Sequence, residues 1–320
     1  MDKCKAIANP LMPDLSTLLR LLQLPSNNED QLQAQRLFHG RGHAYPGLHH
    51  VTIDWLSPVL LITLFASEPK EAIEILADEL LKKLPSCTSV QLQHRYESSG
   101  PIDVIRGEAI QQYDILEGNL RFNISLGKNR NTGLFLDMRK GRQWVQQQSK
   151  GKRVLNLFAY TCGFSVAAIA GGATSVFNVD MSSAALKIGR DNHRLNQQEL
   201  KQVSFEKLNI FKSFGRLKRR GPFDLLICDP PTFQRGSVDI ERDYPKILRR
   251  LNQFMAPGAT LMLCLNAPEL GKDYLFQHMA ELAPEYVFTE EIKAPEVYVE
   301  AEAKGLKILC FENCQTLSEG

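Results

Sequence analysis

From Arg153 to Asn266 the chain alternates short apolar runs with helical stretches, and this alternation restricts the fold more than any other feature. The runs "RVLNLFAY", "SVFNVD", "VSFEKLN", "DLLICD" and "ATLMLCLN" are interleaved with "SVAAIAGG", "SAALKIGRDNHRLN" and "RDYPKILRRLNQFM". Strands apolar on both sides are buried on both faces, and the strand–helix rhythm predicts a parallel, doubly wound α/β sheet. "EYVFTEEIK" and "GLKILCFEN" read as two further strands, giving the sheet an antiparallel end.

Upstream the texture differs. Residues 1–35 predict a short helical extension, "DLSTLLRLLQL", with Asp14 or Ser16 as its cap, then a polar break. From about Arg36 to Arg95 the pattern predicts strand, strand, helix, strand. "HVTIDW" and "PVLLITLFA" carry the β-branched residues, "SEPKEAIEILADELLKKL" is amphipathic, and "SVQLQHR" alternates at period two. A loop over residues 97–107 leads to the strand "EGNLRFNISL" and to "NTGLFLDMRKGRQWV". The predicted division is an extension (1–35), a smaller α+β domain suited to RNA or another substrate (36–145), and the doubly wound domain (146–320).

No uninterrupted apolar segment is long enough to span a membrane, and a secretory signal is not expected. The 7 cysteines form no zinc-like pair of pairs, and several sit in apolar runs, as reduced core thiols of a cytoplasmic protein would. A formal net charge of +2 permits a nucleic-acid partner without arguing for one.

In such sheets ligands bind beyond the carboxyl ends of the strands. The first strand of the second half runs into "NLFAYTCGFS", where Gly163 alone precedes the helix, so the three-glycine dinucleotide turn is absent. The next strand ends at Asp180, about 20 residues after that turn, where an acid can bind both ribose hydroxyls. A helix cap is the bland alternative, although Ser182 is available for it. The third strand ends at Asn209, facing an adenine edge, and the fourth at Asp229. Four polar strand tips thus share one rim.

"VLNLFAYTCGFSVAAIAGGATSVFNVDMSSAALKIGRDNHRLN" and "FDLLICDPPTFQRG" resemble class I S-adenosylmethionine-dependent methyltransferases, which share a Rossmann-like sheet. More narrowly they resemble the bacterial branch that methylates large-subunit (23S) ribosomal RNA. "GRGHAYPGLHHVTIDW", "EGNLRFNISL" and "NTGLFLDMRKGR" extend the resemblance over roughly residues 37–313. That branch often carries an additional N-terminal RNA-binding module, which residues 1–35 are too short to hold. The resemblance implies S-adenosylmethionine as cofactor and ribosomal RNA as partner; the residues themselves argue for no metal and no membrane span. It further implies that Phe158, Tyr160, Thr161 and Gly163 wrap the methionine part, with Asn156, Phe164 and Ser182 in the same cofactor set. Asp180 would hold the ribose, and Asn209, usually Asp in relatives, would face the adenine. Phe135, Asp137 and Arg139 would reach the cofactor from "GLFLDMR"; a structural Asp137–Arg139 pair is the alternative.

"DPPTF" explains itself chemically. Prolines donate no ladder hydrogen bond and stop a strand, so Asp229 sits on a stiff mount with Pro230 and Pro231. An exocyclic base amine is a poor nucleophile because its lone pair is delocalised. Accepting both its hydrogens, with the Asp229 carboxylate and the Pro230 carbonyl, frees that lone pair for an activated methyl in line. Phe233 would stack on the base. Because Thr232 intervenes before the aromatic, a guanine ring nitrogen also stays open as the target. A cysteine-dependent cytosine-C5 transfer needs a nucleophile, with Cys264 and Cys228 as candidates, but both sit in apolar runs. A cofactor-holding RNA-binding or assembly factor without transfer, and a small-molecule or protein methyltransferase, are the remaining alternatives. His43, His49 and His50 suit a loop better than a metal. Lys212, Arg216, Lys218, Arg219 and Arg220 form either a solvated helix end or a phosphate-contacting patch, with Arg242 and Arg249 as possible neighbours.

Overall fold

A computed structural model of the protein describes residues 15–231, 233–234, 238–302 and 304–314, with residues 15, 233 and 234 described by backbone alone. Chain contacts divide it into two compact units. The first comprises Met1–Gly118, Ile124–Thr132 and Glu296–Glu302; the second comprises Asn119–Asn123, Gly133–Pro295 and Ala303–Gly320.

The first unit begins with α1 (Leu15–Leu21). Ser16 lies inside that helix and accepts from Arg20 rather than capping it, and Asp14 lies outside the described residues. A five-stranded sheet follows: β1 (Gln35–His39), β2 (Val51–Leu56), β3 (Val59–Leu64), β4 (Ser89–His94) and β5 (Ile102–Gly107), adjacent in that order. Only β3 and β4 pair in parallel. A parallel pair needs a crossover, and α2 (Lys70–Lys83) supplies it. Its buried residues Ile73, Leu76, Ala77 and Leu80 recur at helical spacing and join Ile53, Trp55, Leu60 and Ile62 in one core.

The structure corrects the sequence reading here in two places. β1 precedes the expected strands, and the end of the expected loop over 97–107 is the edge strand β5. An edge strand keeps much of its surface in water, as the 41% exposure of Val104 shows, so its apolar signal is weak. A ribbon of β6 (Gln112–Glu117) and β7 (Leu120–Ser125) continues the chain.

The second unit holds α3 (Arg139–Gln148), β8 (Arg153–Leu157), α4 (Gly163–Ala170), β9 (Ser175–Asp180), α5 (Ser183–Leu195), β10 (Val203–Lys207), α6 (Phe214–Arg220) and β11 (Phe223–Cys228). After two short paired strands, β12 (Phe233–Gln234) and β13 (Val238–Asp239), come α7 (Ile240–Leu248), β14 (Met255–Leu265), α8 (Asp273–Leu282), β15 (Tyr286–Glu291) and β16 (Lys307–Asn313). The seven-stranded sheet has the order β10-β9-β8-β11-β14-β16-β15. β16 is inserted antiparallel between β14 and β15, so the edge strand β15 runs with the majority.

Both faces of this sheet are covered, as its apolar strands require. Leu155, Leu157 and Leu226 pack with Tyr244, Ile247 and Leu275 on one face. Val154, Leu225 and Ile227 pack with Trp144, Phe164 and Ile308 on the other. The strand order reverses between β8 and β11, which opens a crevice beyond their carboxyl ends. No helix among the described residues is long and apolar enough to cross a membrane.

α5 is seated against the loop that follows β8. A Cβ on Gly189 would lie 2.4 Å from Cys162 Sγ and 2.8 Å from its Cβ. Gly189→Ala is therefore expected to lower stability by about 1–3 kcal/mol, and Cys162→Ala in the same chain to restore part of it; urea unfolding of the singles and the double checks this.

Candidate active site

The loop after β8 is the most strained backbone in the second unit. Phe158, Tyr160 and Cys162 all have positive φ (59°, 47° and 61°), and none is a glycine. Bulky residues in this region cost about 1–3 kcal/mol each and persist only where their surroundings hold them. Here the surroundings do. Ala159 N donates to Val179 O at 3.0 Å and Cys162 N to Ala159 O at 2.7 Å. The Thr161 hydroxyl donates to Gly133 O at 2.6 Å, and Asn192 Nδ2 donates to Thr161 O at 2.9 Å. Gly163 lets α4 approach closely: a Cβ there would meet Leu134 Cδ1 at 3.3 Å and Arg142 Cδ at 3.4 Å.

Asp180, the last residue of β9, completes the loop's support. Its Oδ2 accepts from Tyr160 N at 2.9 Å and its Oδ1 from Ser182 N at 2.7 Å. Each oxygen keeps a further lone pair, so the carboxylate still has room for a diol. Ser182 is the true cap of α5, accepting from Ala185 N at 3.1 Å. Asn209 caps the 3-10 turn that follows it, accepting from Lys212 N at 3.3 Å. That contact occupies the amide oxygen and leaves the amide N–H groups to donate.

Three residues expected in the cofactor set, Asn156, Phe164 and Thr161, are buried. Asn156 is buried and donates to Asn178 Oδ1 at 2.9 Å; Asn178 in turn donates to Ser165 Oγ, which is bonded to His193. Burial pushes the His193 imidazole down to about 4, so it is neutral at physiological pH. Phe164 is buried among the α3–α4 side chains with Trp144 and Val145. Thr161 is buried as well, and its hydroxyl is committed to Gly133. Phe135, by contrast, is 45% exposed, and its ring lies 5.6 Å from that of Tyr160. Asp137 sits in the following turn, and Arg139 opens α3, both half-buried.

β11 delivers Asp229 at the crevice, followed by buried Pro230 and exposed Pro231. Tyr244 fixes this strand end from below. Its buried hydroxyl lies 3.3 Å from Cys228 O and 3.2 Å from Cys264 O, so one donor is shared between the ends of β11 and β14. Thr232 and the Phe233 side chain lie outside the described residues. Asp229 is pushed up to about 7, first by burial and then by the Asp137 carboxylate, with Arg142 working against both. Arg142 is the residue the sequence reading missed. It is buried, donates to Phe135 O at 2.9 Å and lies 5.9 Å from the Phe122 ring. The signal was its position three residues after Arg139, on the same side of α3.

Cys228 and Cys264 are fully buried within β11 and β14, and burial pushes both thiols up. Neither offers a thiolate for attack on a pyrimidine. The basic segment lies at the other end of the sheet. Arg153, the first residue of β8, donates to Arg220 O at 2.6 Å and to Pro222 O at 2.7 Å, so the end of α6 sits where the strands begin. Arg216 pairs with Glu206 at 2.6 Å, Arg242 with Asp243 at 2.9 Å, and Arg249 follows the end of α7. Among the described residues no group of three His, Cys, Asp or Glu side chains could hold a metal ion; His50 is engaged by Glu68 at 2.5 Å.

Comparison with known proteins places the chain in a family. A family model described as S-adenosylmethionine-dependent methyltransferase matches residues 35–312. The "Ribosomal RNA large subunit methyltransferase I" of Aeromonas salmonicida (strain A449) is 30% identical over 280 residues, 82% of this chain and 70% of that protein. That of Aeromonas hydrophila is also 30% identical, over 281 residues, again 82% and 70%. A crystal structure of a methyltransferase complexed with SAH superposes with a TM-score of 0.82 at 22% identity, covering 95% of this chain and 83% of that one. The chain belongs to the S-adenosylmethionine-dependent methyltransferase family.

Proposed function

We propose that this methyltransferase modifies a guanine nitrogen of large-subunit ribosomal RNA. The observation that carries the reading is Asp229: a recessed carboxylate, raised in proton affinity, on a proline-stiffened strand end at the crevice. The named activity of the relatives, on ribosomal RNA, supplies the substrate class.

The residues present fit the cofactor. Asp180, with one free lone pair on each oxygen, suits the ribose diol. Asn209, its oxygen used by Lys212 N, donates from its amide to a ring nitrogen of the adenine, where an aspartate would instead accept. Exposed Phe135 and half-buried Phe158 and Tyr160 give apolar walls, and Gly163 keeps the helix start close. Asp137 and Arg139 border the same crevice. Thr161, Ser182, Asn156 and Phe164 act through the loop, holding its shape. When bound, S-adenosylmethionine supplies a methyl group on a positively charged sulfur.

The chain's own part is to position the base and manage its protons. Asp229 and the Pro230 carbonyl accept from an exocyclic amine; with a ring nitrogen as target, Asp229 takes the ring proton. A carboxylate pushed up to about 7 is a better proton acceptor than an ordinary one.

Three outcomes are expected. Asp229→Ala lowers the methyl-transfer rate by about 10²–10⁴, while calorimetry shows S-adenosylmethionine binding within a few-fold of the parent. Mass mapping of 23S ribosomal RNA from cells lacking the protein shows one guanine without its methyl; a complete set of methyls rejects the substrate. The third is a pH effect with a definite sign. Asp229 binds its proton more tightly folded (about 7) than unfolded (3.8), so its contribution is full below 3.8 and is lost as pH rises to 7. Asp229→Asn is thus more stable than the parent at pH 8 by about 1–3 kcal/mol, an advantage that shrinks toward pH 4 in urea titrations.

A further inference from the structure

Three strands of the first unit's sheet end on one rim, and each is followed at once by part of a single cationic cluster. β1 and β2 are antiparallel, as are β2 and β3, while β3 and β4 are parallel, so β1, β3 and β4 all point the same way. Arg41 comes two residues after β1, Phe65 directly after β3 and Arg95 directly after β4. The Arg41 guanidinium stacks over the Phe65 ring at 4.4 Å, and that of Arg95 lies 5.9 Å from the same ring. Arg130 closes the group: its guanidinium donates to Arg95 O at 3.2 Å, and Arg95 donates to Arg130 O.

The cluster is built rather than accidental. Gly40 and Gly42 flank Arg41, and neither has room for a Cβ: one would lie 1.8 Å from Leu48 O, the other 1.8 Å from Val299 O. The "GRG" turn is thereby pinned on both sides, with Arg41 exposed between. Backbone bonds from Phe65 N to His50 O (2.8 Å) and from Arg95 N to Leu64 O (2.7 Å) fix the other two members, and buried Gln93 donates to Arg130 O at 3.2 Å.

Three guanidiniums share this rim, and among the described residues none of them is paired with a carboxylate. Two acids of this unit are engaged by histidines: Glu68 by His50 at 2.5 Å and Asp103 by His94 at 2.9 Å. Burial and the charge of Arg130 both push Arg95 down, the mark of like charges gathered without a counter-ion. Exposed Tyr96, bonded to His94 at 2.9 Å, adds a second aromatic beside Arg95. Guanidiniums gathered around an aromatic ring match a phosphate backbone with unstacked bases.

We infer that Arg41, Arg95 and Arg130, arranged around Phe65, form a docking site for the sugar-phosphate backbone of the RNA substrate. The inference rests on the reading of the substrate as RNA and assigns the first unit its part in it. The basic end of α6, which the sequence singled out, is not needed for this role.

The test is fluorescence anisotropy of a fluorescein-labelled oligouridylate of about 12 nucleotides with the full chain, over a series of salt concentrations. The triple variant R41Q/R95Q/R130Q is expected to bind about tenfold or more weakly, with a log–log salt slope shallower by about 2; each lost contact removes about 0.7. Because Arg95 and Arg130 also hold backbone, Arg41→Gln alone is the second variant, with a slope shallower by about 0.7. Parental affinity and slope in both variants would overturn the inference, as would a parent chain that does not bind the oligonucleotide. Methyl incorporation into deproteinised large-subunit RNA separates this failure from the other: if the parent chain modifies that RNA while both variants bind normally, only the docking site falls. If it modifies none, the substrate reading falls.

Discussion

The hydrogen bond from Tyr160 N to Asp180 Oδ2, 2.9 Å long, is the constraint on which the second unit's rim depends. It joins the loop after β8 to the acid at the end of β9. Together with the bonds of Ala159 N, Cys162 N, the Thr161 hydroxyl and Asn192 Nδ2, it holds Phe158, Tyr160 and Cys162 at positive φ, where each costs about 1–3 kcal/mol. Asp180 accepts from Ser182 N through its other oxygen, and each carboxylate oxygen keeps a further lone pair.

A second tie works from below the sheet. The Tyr244 hydroxyl, shared between Cys228 O and Cys264 O, holds the ends of β11 and β14 in fixed relation just before the Asp-Pro-Pro turn. Proline rings stiffen the turn after Asp229, and the tyrosine stiffens the strand before it. A carboxylate mounted between two such restraints has little freedom to relax toward water, which is why burial leads the causes that raise its proton affinity.

Most of the catalytic fold was legible because its cause is periodic. Apolar strands alternating with amphipathic helices leave few topologies, and polar residues at strand tips mark the binding rim. What escaped the reading has no such period. Phe, Tyr and Cys side chains carry no sign that the backbone beneath them is left-handed. β5 escaped because an edge strand with exposed side chains looks like a loop. Asn156 is a different case, since its burial was legible. It alternates with Leu155 and Leu157, which face one core, so strand parity puts it on Val154's side, beneath the helices. Arg139 and Arg142 look alike in sequence, and only burial separates them: Arg142 is enclosed and reaches Phe135 O, whereas Arg139 is half-exposed at the helix start.

That enclosed arginine works against the rise of Asp229 without reversing it. Asp229 feels the Arg142 cation and the Asp137 carboxylate, and the desolvation of its own charge outweighs what Arg142 returns. The cost appears as lost stability above the unfolded carboxyl's range, borne by a single aspartate.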